Sequence, residues 1–440
     1  MTRISVIGLG KLGLCTAACF ASRGFDVVGV DVEARTVQLV NDGIPPMYEP
    51  RLSEVMAAAG GRLRATGDYR TALERSDVTF LVVPTPSAPN GEFSDHHLRD
   101  ALMHLSRALR DSRKRSHLFA VTSTVSPGTI DGSLTPLIET TSGRAIHDGF
   151  DVCYNPEFIA LGSVITDFLN PDLVLIGENR DGAGTQLEEI YRKVCENTPQ
   201  IARMSIISAE ITKLSLNSFV TTKISFANTL AAICEAMPGA DIDAITRALG
   251  ADRRVSPYSL RGGLPFGGPC FPRDNRAFAT FAEQHGVDAR LAKATDEINR
   301  ARTHDIVELV QRHLPRKNRR VGILGLSYKA GTPIVEESPA LALIDELLGA
   351  GDLEITVYDP LALEPARAVL GDRVSYAPSS RACVGDVSVC IIMTAAQEFH
   401  AVEETYVGEQ LTAVIDCWRI LDAEKLGPRV CYVALGRPVE

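Results

Sequence analysis

Cys270 stands in the run Gly267-Gly268-Pro269-Cys270-Phe271-Pro272-Arg273-Asp274, a setting able to turn a thiol into a nucleophile. Glycines leave bare backbone that a ligand can approach closely, and the prolines stiffen the turn that aims the sulfur. Arg273 and Asp274 add a cation and a carboxylate within four residues of it. A positive charge nearby favours the thiolate, the reactive form. A lone cysteine in a Gly/Pro loop is more commonly an inert packing residue, so the reading turns on what accompanies it. Asn155-Pro156-Glu157 supplies another carboxylate, and Lys213 and Asn217, four positions apart, share one face of a helix.

A cofactor site accompanies it. Gly8-Leu9-Gly10-Lys11-Leu12-Gly13 follows a short apolar run and opens a helical stretch. In that order Gly8 permits the tight turn, Gly10 lets a pyrophosphate approach the backbone, and Gly13 lets helix pack on strand. Free N–H groups at the helix start, Lys11 and Leu12 among them, then face the phosphates. Asp31 comes 23 positions after Gly8, where a carboxylate accepts both adenosine ribose hydroxyls. It would repel a 2′-phosphate, so NAD is favoured over NADP. Thr85 in Pro84-Thr85-Pro86 and Thr124 in Ser123-Thr124-Val125-Ser126-Pro127-Gly128 could reach the nicotinamide ribose or carboxamide, although such loops are also ordinary turn chemistry. A hydride acceptor beside a nucleophilic cysteine suits oxidation of an aldehyde through a thiohemiacetal and a thioester. Hydrolysis of the thioester needs a carboxylate base, and Lys213 would steady the tetrahedral oxyanions.

Elements able to position these groups are legible. Candidate strands Ile4–Ile7, Val27–Val30, Val78–Val83, Leu118–Thr122, Asp151–Tyr154 and Leu173–Ile176 alternate with helical stretches, the pattern of a parallel sheet with crossover helices. The first five end in loops where open α/β sheets bind ligands. From Ser208 to Glu235 the period becomes helical, with an apolar stripe of Leu216, Phe219, Val220, Ala227, Leu230 and Cys234. Lys213 and Asn217 lie opposite that stripe. A second α/β pattern follows: Val321–Leu324, Ile355–Tyr358, Val387–Ile392, Ala413–Asp416 and Val430–Val433. We therefore expect an α/β protein of two Rossmann-like lobes joined by a long central helix and a helical middle domain. The expected divisions are 1–205, 206–312 and 313–440.

The 440 residues suit two or three domains. A formal charge of −10 argues against a general nucleic-acid binder. No apolar stretch approaches the ~18 residues of a membrane helix. Ten cysteines without disulfide-like spacing fit a reducing compartment, and the cytoplasm is the default. No His/Cys cluster has metal-ligand spacing.

The order and spacing of these motifs resemble the UDP-glucose/GDP-mannose 6-dehydrogenase family over nearly the whole chain. Besides the runs above, Val83-Pro84-Thr85-Pro86, Asn155-Pro156-Glu157-Phe158, Lys213-x-x-x-Asn217, Gly325-Leu326-Ser327-Tyr328-Lys329, Glu336-Glu337-Ser338-Pro339 and Asp416-Cys417-Trp418-Arg419 carry the likeness. The resemblance implies conversion of the C6 hydroxymethyl of a nucleotide hexose to a carboxylate, with two NAD and one water consumed. By it Cys270 is the nucleophile, Asp274 helps activate water, and Glu157 is an acid/base. Lys213 and Asn217 hold the reacting oxygen or a water, and Thr124 lies near the nicotinamide. It further implies that Phe266, Gly267, Tyr328, Lys329 and Arg419 hold the substrate. Arg254 would reach the substrate of a neighbouring subunit, in a homodimer built on the long helix. UDP-glucose is the leading substrate; GDP-mannose or a UDP-N-acetylhexosamine is the alternative. Departures concern specificity: Leu161 where many members have a second glutamate, Arg273 in place of lysine, Glu336 in place of arginine, and Thr394-Ala395-Ala396 without the usual acid. Two other classes are a two-electron hydroxyacid dehydrogenase, with Lys213 as base and Cys270 structural, and a non-catalytic nucleotide-sugar binder.

Overall fold

The computed structural model describes residues 2–88, 91–402 and 408–438. The chain divides into two compact units, Met1–Ser215 and Leu216–Glu440.

In the first unit the short apolar runs become strands β1 (Ile4–Ile7), β2 (Val27–Val30), β3 (Leu63–Thr66), β4 (Val78–Leu81), β5 (Leu118–Val121), β6 (Ala145–Ile146), β7 (Gly149–Tyr154), β8 (Leu173–Glu178) and β9 (Gln200–Met204). The main path runs β3-β2-β1-β4-β5-β7-β8-β9. Its pairings are parallel except β7 with β8, where the chain turns back antiparallel. β1, β4 and β5 are buried along their whole length, as strands covered on both faces must be. The expected strands match these to within a few residues, whereas β3, β6 and β9 were not anticipated.

The second unit holds β10 (Arg320–Leu324), β11 (Glu354–Tyr358), β12 (Ser375–Tyr376), β13 (Val389–Ile392), β14 (Ala413–Asp416) and β15 (Cys431–Ala434). They form an all-parallel sheet ordered β12-β11-β10-β13-β14-β15. This order repeats β3-β2-β1-β4-β5-β7 of the first unit, so each half is a Rossmann-like sheet. The likeness reaches single hydrogen bonds. Gly8 N–H donates to the Val30 carbonyl at 2.8 Å and Gly325 N–H to the Tyr358 carbonyl at 2.8 Å. Leu9 N–H donates to Asp31 Oδ2 at 2.8 Å, and Leu326 N–H to Asp359 Oδ2 at 2.8 Å.

The long helix runs Ile206–Glu235. Its hydrogen-bonding residues Asn217, Ser218, Thr221, Ser225 and Asn228 are buried, while Phe219 is 64% and Phe226 53% exposed. The apolar stripe read from the sequence therefore splits: Ala227 and Cys234 point inward, and Phe219 points out. The polar side tolerates burial because it is partnered. Ser218 pairs with Asn275 at 2.9 Å, Ser225 donates to the Thr295 carbonyl at 3.1 Å, and Asn228 Nδ2 donates to the Leu264 carbonyl at 2.9 Å.

Candidate active site

The glycine-rich turn joins β1 to the helix Lys11–Ser22. Gly8 adopts φ +90°, and a Cβ there would lie 2.6 Å from the Val82 carbonyl oxygen. A Cβ on Gly13 would run into the Gly8 carbonyl oxygen. Gly10 differs: nothing lies within 4 Å of its Cβ position. This open position precedes a helix whose start has no side-chain cap, so its N–H groups face outward for a phosphate. Asp31 accepts from Leu9 N–H at 2.8 Å and Glu33 N–H at 2.9 Å, one bond per oxygen. Each oxygen keeps a lone pair for a ribose hydroxyl. A dinucleotide fits this cradle. Asp31→Ala should narrow the preference for NAD over NADP, measured as the ratio of kcat/KM for the two cofactors; an unchanged ratio would remove Asp31 from cofactor choice.

Beyond the turn, Ser123 Oγ donates to the Val83 carbonyl at 2.7 Å, tying the loop that carries Thr124 to the one that carries the buried Thr85. Glu210, on the long helix, anchors the far end of the Thr124 loop and was not singled out in the sequence. Its carboxyl accepts from Gly128 N–H at 2.6 Å and Ile130 N–H at 3.1 Å. Burial pushes that carboxyl up to about 7, the two amides opposing.

Glu157 follows β7. Its main-chain carbonyl accepts from Lys213 Nζ at 2.7 Å, and the same ammonium lies 4.8 Å from the Phe158 ring centre. Lys213 is 7% exposed, so this is a buried, oriented cation rather than a surface lysine. Burial pushes the Glu157 carboxyl up to about 7, against a hydrogen bond from Tyr191 and the Lys213 charge. Leu161 packs on the edge of the hydrophobic core.

In the second unit Cys270 is the N-cap residue of the helix Phe271–Gln284, with Pro272 in its first turn. Of the ten cysteines it is the exposed one. Burial pushes the Cys19 and Cys153 thiols up to about 12 and Cys195 to about 11, leaving them inert. A sulfur at a helix N-terminus lies instead at the positive end of the dipole. One turn on, Asp274 is fully buried and accepts from Asn217 Nδ2 at 2.6 Å and Arg273 Nε at 3.0 Å. The preceding loop is held by paired bonds. Asn228 spans Gly263 and Leu264, Asn299 exchanges two with Phe266, and Gly268 N–H donates to the Glu337 carbonyl at 3.1 Å. Gly268 adopts φ +83°, and its absent Cβ makes room for the Tyr328 ring, 2.5 Å from where that atom would sit.

That loop encloses a cavity of about 270 Å³ whose wall includes Phe266, Gly267, Tyr328 and Lys329. Four residues expected to hold substrate thus converge. Arg261 and Trp418 join them, the guanidinium 4.9 Å from the indole centre; neither had been assigned a binding role. Arg419 does not line the cavity. It is spent on a two-pronged bond to Asp243 at 2.8 and 2.9 Å. Arg254 is also outside, an exposed residue paired with Asp252. Among the described residues no cluster could hold a metal, and no helix is long and apolar enough to cross a membrane.

Comparison with known proteins decides the family. Models of the UDP-glucose/GDP-mannose dehydrogenase family match in chain order: the NAD binding domain over residues 2–195, the central domain over 207–301 and the UDP binding domain over 322–423. The chain belongs to the UDP-glucose/GDP-mannose dehydrogenase family. It is 36% identical over 421 residues to UDP-glucose 6-dehydrogenase AglM of Haloferax volcanii, covering 95% of this chain and 97% of the relative. With GDP-mannose 6-dehydrogenase of Pseudomonas putida it shares 36% over 361 residues, covering 81% and 80%. A solved UDP-glucose dehydrogenase from the hyperthermophilic archaeon Pyrobaculum islandicum superposes with a TM-score of 0.89 at 33% identity, over 99% of this chain and 98% of that one. This family member is accordingly an NAD-dependent nucleotide-sugar 6-dehydrogenase.

Proposed function

We propose that the enzyme carries out a four-electron oxidation of UDP-glucose to UDP-glucuronate, with Cys270 holding the half-oxidised sugar. The observation that carries this is the exposed thiol at a helix N-terminus, with a buried carboxylate one turn away fixed by Asn217 and Arg273. NAD, when bound at the Gly8–Gly13 turn, supplies the hydride acceptor for both oxidations. In the first, the C6 alcohol loses a hydride and a proton to give the aldehyde. The Cys270 thiolate then adds to the carbonyl carbon, forming a thiohemiacetal whose oxyanion Lys213 stabilises. Loss of a second hydride leaves a thioester. Water activated by Asp274 attacks that carbon, the C–S bond breaks, and the carboxylate leaves with the thiolate restored. Glu157 serves as the acid/base of the first unit, and Thr124 contacts the nicotinamide end.

The cavity walled by Phe266, Gly267, Tyr328, Lys329, Arg261 and Trp418 is assigned to the nucleotide end of the substrate. The match to a UDP binding domain over residues 322–423 and the near-full-length likeness to UDP-glucose dehydrogenases support a uridine nucleotide, with UDP-glucose ahead of GDP-mannose or a UDP-N-acetylhexosamine. Phe219, Phe226 and Ile233, seven apart and all more than half exposed, suit a homodimer built on the long helix, with Arg254 turned toward the partner. Ten cysteines without disulfide-like spacing fit a cytoplasmic enzyme.

Incubating the purified protein with NAD and a panel of nucleotide hexoses, and counting NADH per sugar, tests the reading. Two NADH per UDP-glucose, with the uronate as product, is expected. Equimolar NADH with free aldehyde would overturn it in favour of a two-electron enzyme, and no NADH from any of them would make the chain a binder.

A further inference from the structure

Tyr191 places one hydroxyl between two acceptors. Its Oη lies 2.8 Å from Asn155 Oδ1 and 2.7 Å from Glu157 Oε1. Asn155 is fixed in orientation because its Nδ2 donates to the Leu175 carbonyl at 3.0 Å, which leaves Oδ1 facing the phenol as an acceptor. A phenol carries a single proton. Both short contacts can be hydrogen bonds together only when a second proton sits on Glu157, which then donates to Tyr191 Oη. All three side chains come from the first unit, and Asn155 and Tyr191 are buried to 1% and 2% exposure, where an unmade bond is costly.

We propose that Asn155, Tyr191 and Glu157 form a proton-holding triad in which Asn155, by engaging the Tyr191 hydroxyl, is a positioning residue that keeps Glu157 protonated at rest, and in which loss of that proton swings the Tyr191 hydroxyl from Asn155 to Glu157. This rests on the reading of Glu157 as an acid/base and adds how its proton is stored. The titratable groups facing Glu157 are Lys213 on the long helix, Tyr191 and Cys195 on and just after the helix Thr185–Val194, and Cys19 on the helix Lys11–Ser22. Burial drives the Tyr191 hydroxyl well up and the two thiols likewise, so these three stay neutral. Lys213 is then the charge acting on Glu157. The neutral acid makes two bonds through the triad. Its anion makes one charge-assisted bond from Tyr191 and strands Asn155 Oδ1.

Opposite shifts follow from the two neighbours. Tyr191→Phe removes the donor that stabilises the anion and should raise the Glu157 titration midpoint by about one pH unit. Asn155→Leu removes the competitor for the phenol proton and should lower it by a similar amount. The measurement is the infrared difference between the full-length enzyme and Glu157→Gln in D2O, recorded without substrate. A protonated-carboxyl band present at pH 6 and lost by about pH 8 is expected in the unsubstituted enzyme. Absence of that band at pH 6, or a Tyr191→Phe midpoint that stays put or falls, overturns the triad. So does a folded Asn155→Leu whose midpoint does not fall. Should Asn155→Leu not fold, the other two spectra decide. Because no substrate is present, this readout is independent of NADH stoichiometry, so failure of the triad and failure of the proposed oxidation are told apart.

Discussion

Cys270→Ser should abolish formation of the uronate, lowering steady-state turnover by about 10³-fold or more, and should stall the enzyme with a covalent or tightly held intermediate. A hydroxyl at that helix N-terminus remains protonated where a thiol ionises, because the dipole stabilises a thiolate by an amount far too small for an alkoxide. Addition to the aldehyde is then slow, and any oxygen adduct or ester it gives is a poorer leaving group than a thioester, so the sequence stalls before the acid is released. Rapid quenching followed by mass spectrometry of protein and nucleotide would find the stalled species. Unchanged turnover to the acid would refute the nucleophile assignment, returning Cys270 to an incidental loop residue.

Lys213→Ala should cost about 10²–10³ in kcat with a smaller change in KM. The ammonium is buried and held by the Glu157 carbonyl at 2.7 Å and the Phe158 ring at 4.8 Å, so on the proposed mechanism it would act on the oxyanion as a fixed charge. Arginine should not rescue the loss, since a planar guanidinium spreads its charge over a fork too broad for the place of a compact ammonium. Steady-state kinetics with saturating NAD separates the outcomes. A kcat within twofold of the unsubstituted enzyme would mean that Lys213 only braces the Glu157 loop.

Much of this site is local in sequence and was legible there. Gly8, Gly10, Gly13 and Asp31 are read together because each answers to one turn, and Cys270 and Asp274 because they share a helix start. Strands of the two parallel sheets are near-continuous apolar runs. Leu63–Thr66 and Gln200–Met204 escaped because they are edge strands of the main path, carrying the exposed Arg64 and Arg203. The inward polar side of the long helix was hidden for another reason: its partners lie far along the chain, Asn275 being 57 residues from Ser218. Distance equally concealed Tyr191, 34 residues from Glu157, and Glu210, 82 from Gly128. Arg419 illustrates the converse. Its motif pointed toward ligand, but Asp243, 176 residues away, holds its guanidinium.

The duplicated turn in the second half has a kinetic corollary. Asp359 is buried to 3% exposure and takes bonds from the amides of Leu326, Ser327, Leu361 and Ala362, and Ser327 stands where the first copy has its bare Gly10. A Cβ on Gly325 would strike Thr394. This copy is thus saturated by its own backbone and offers no berth for an adenosine ribose. If one sugar gives up four electrons as proposed, the protomer has to exchange its reduced nicotinamide between the two oxidations, and the residence time of the half-oxidised sugar on Cys270 would then be set by how quickly the first coenzyme departs.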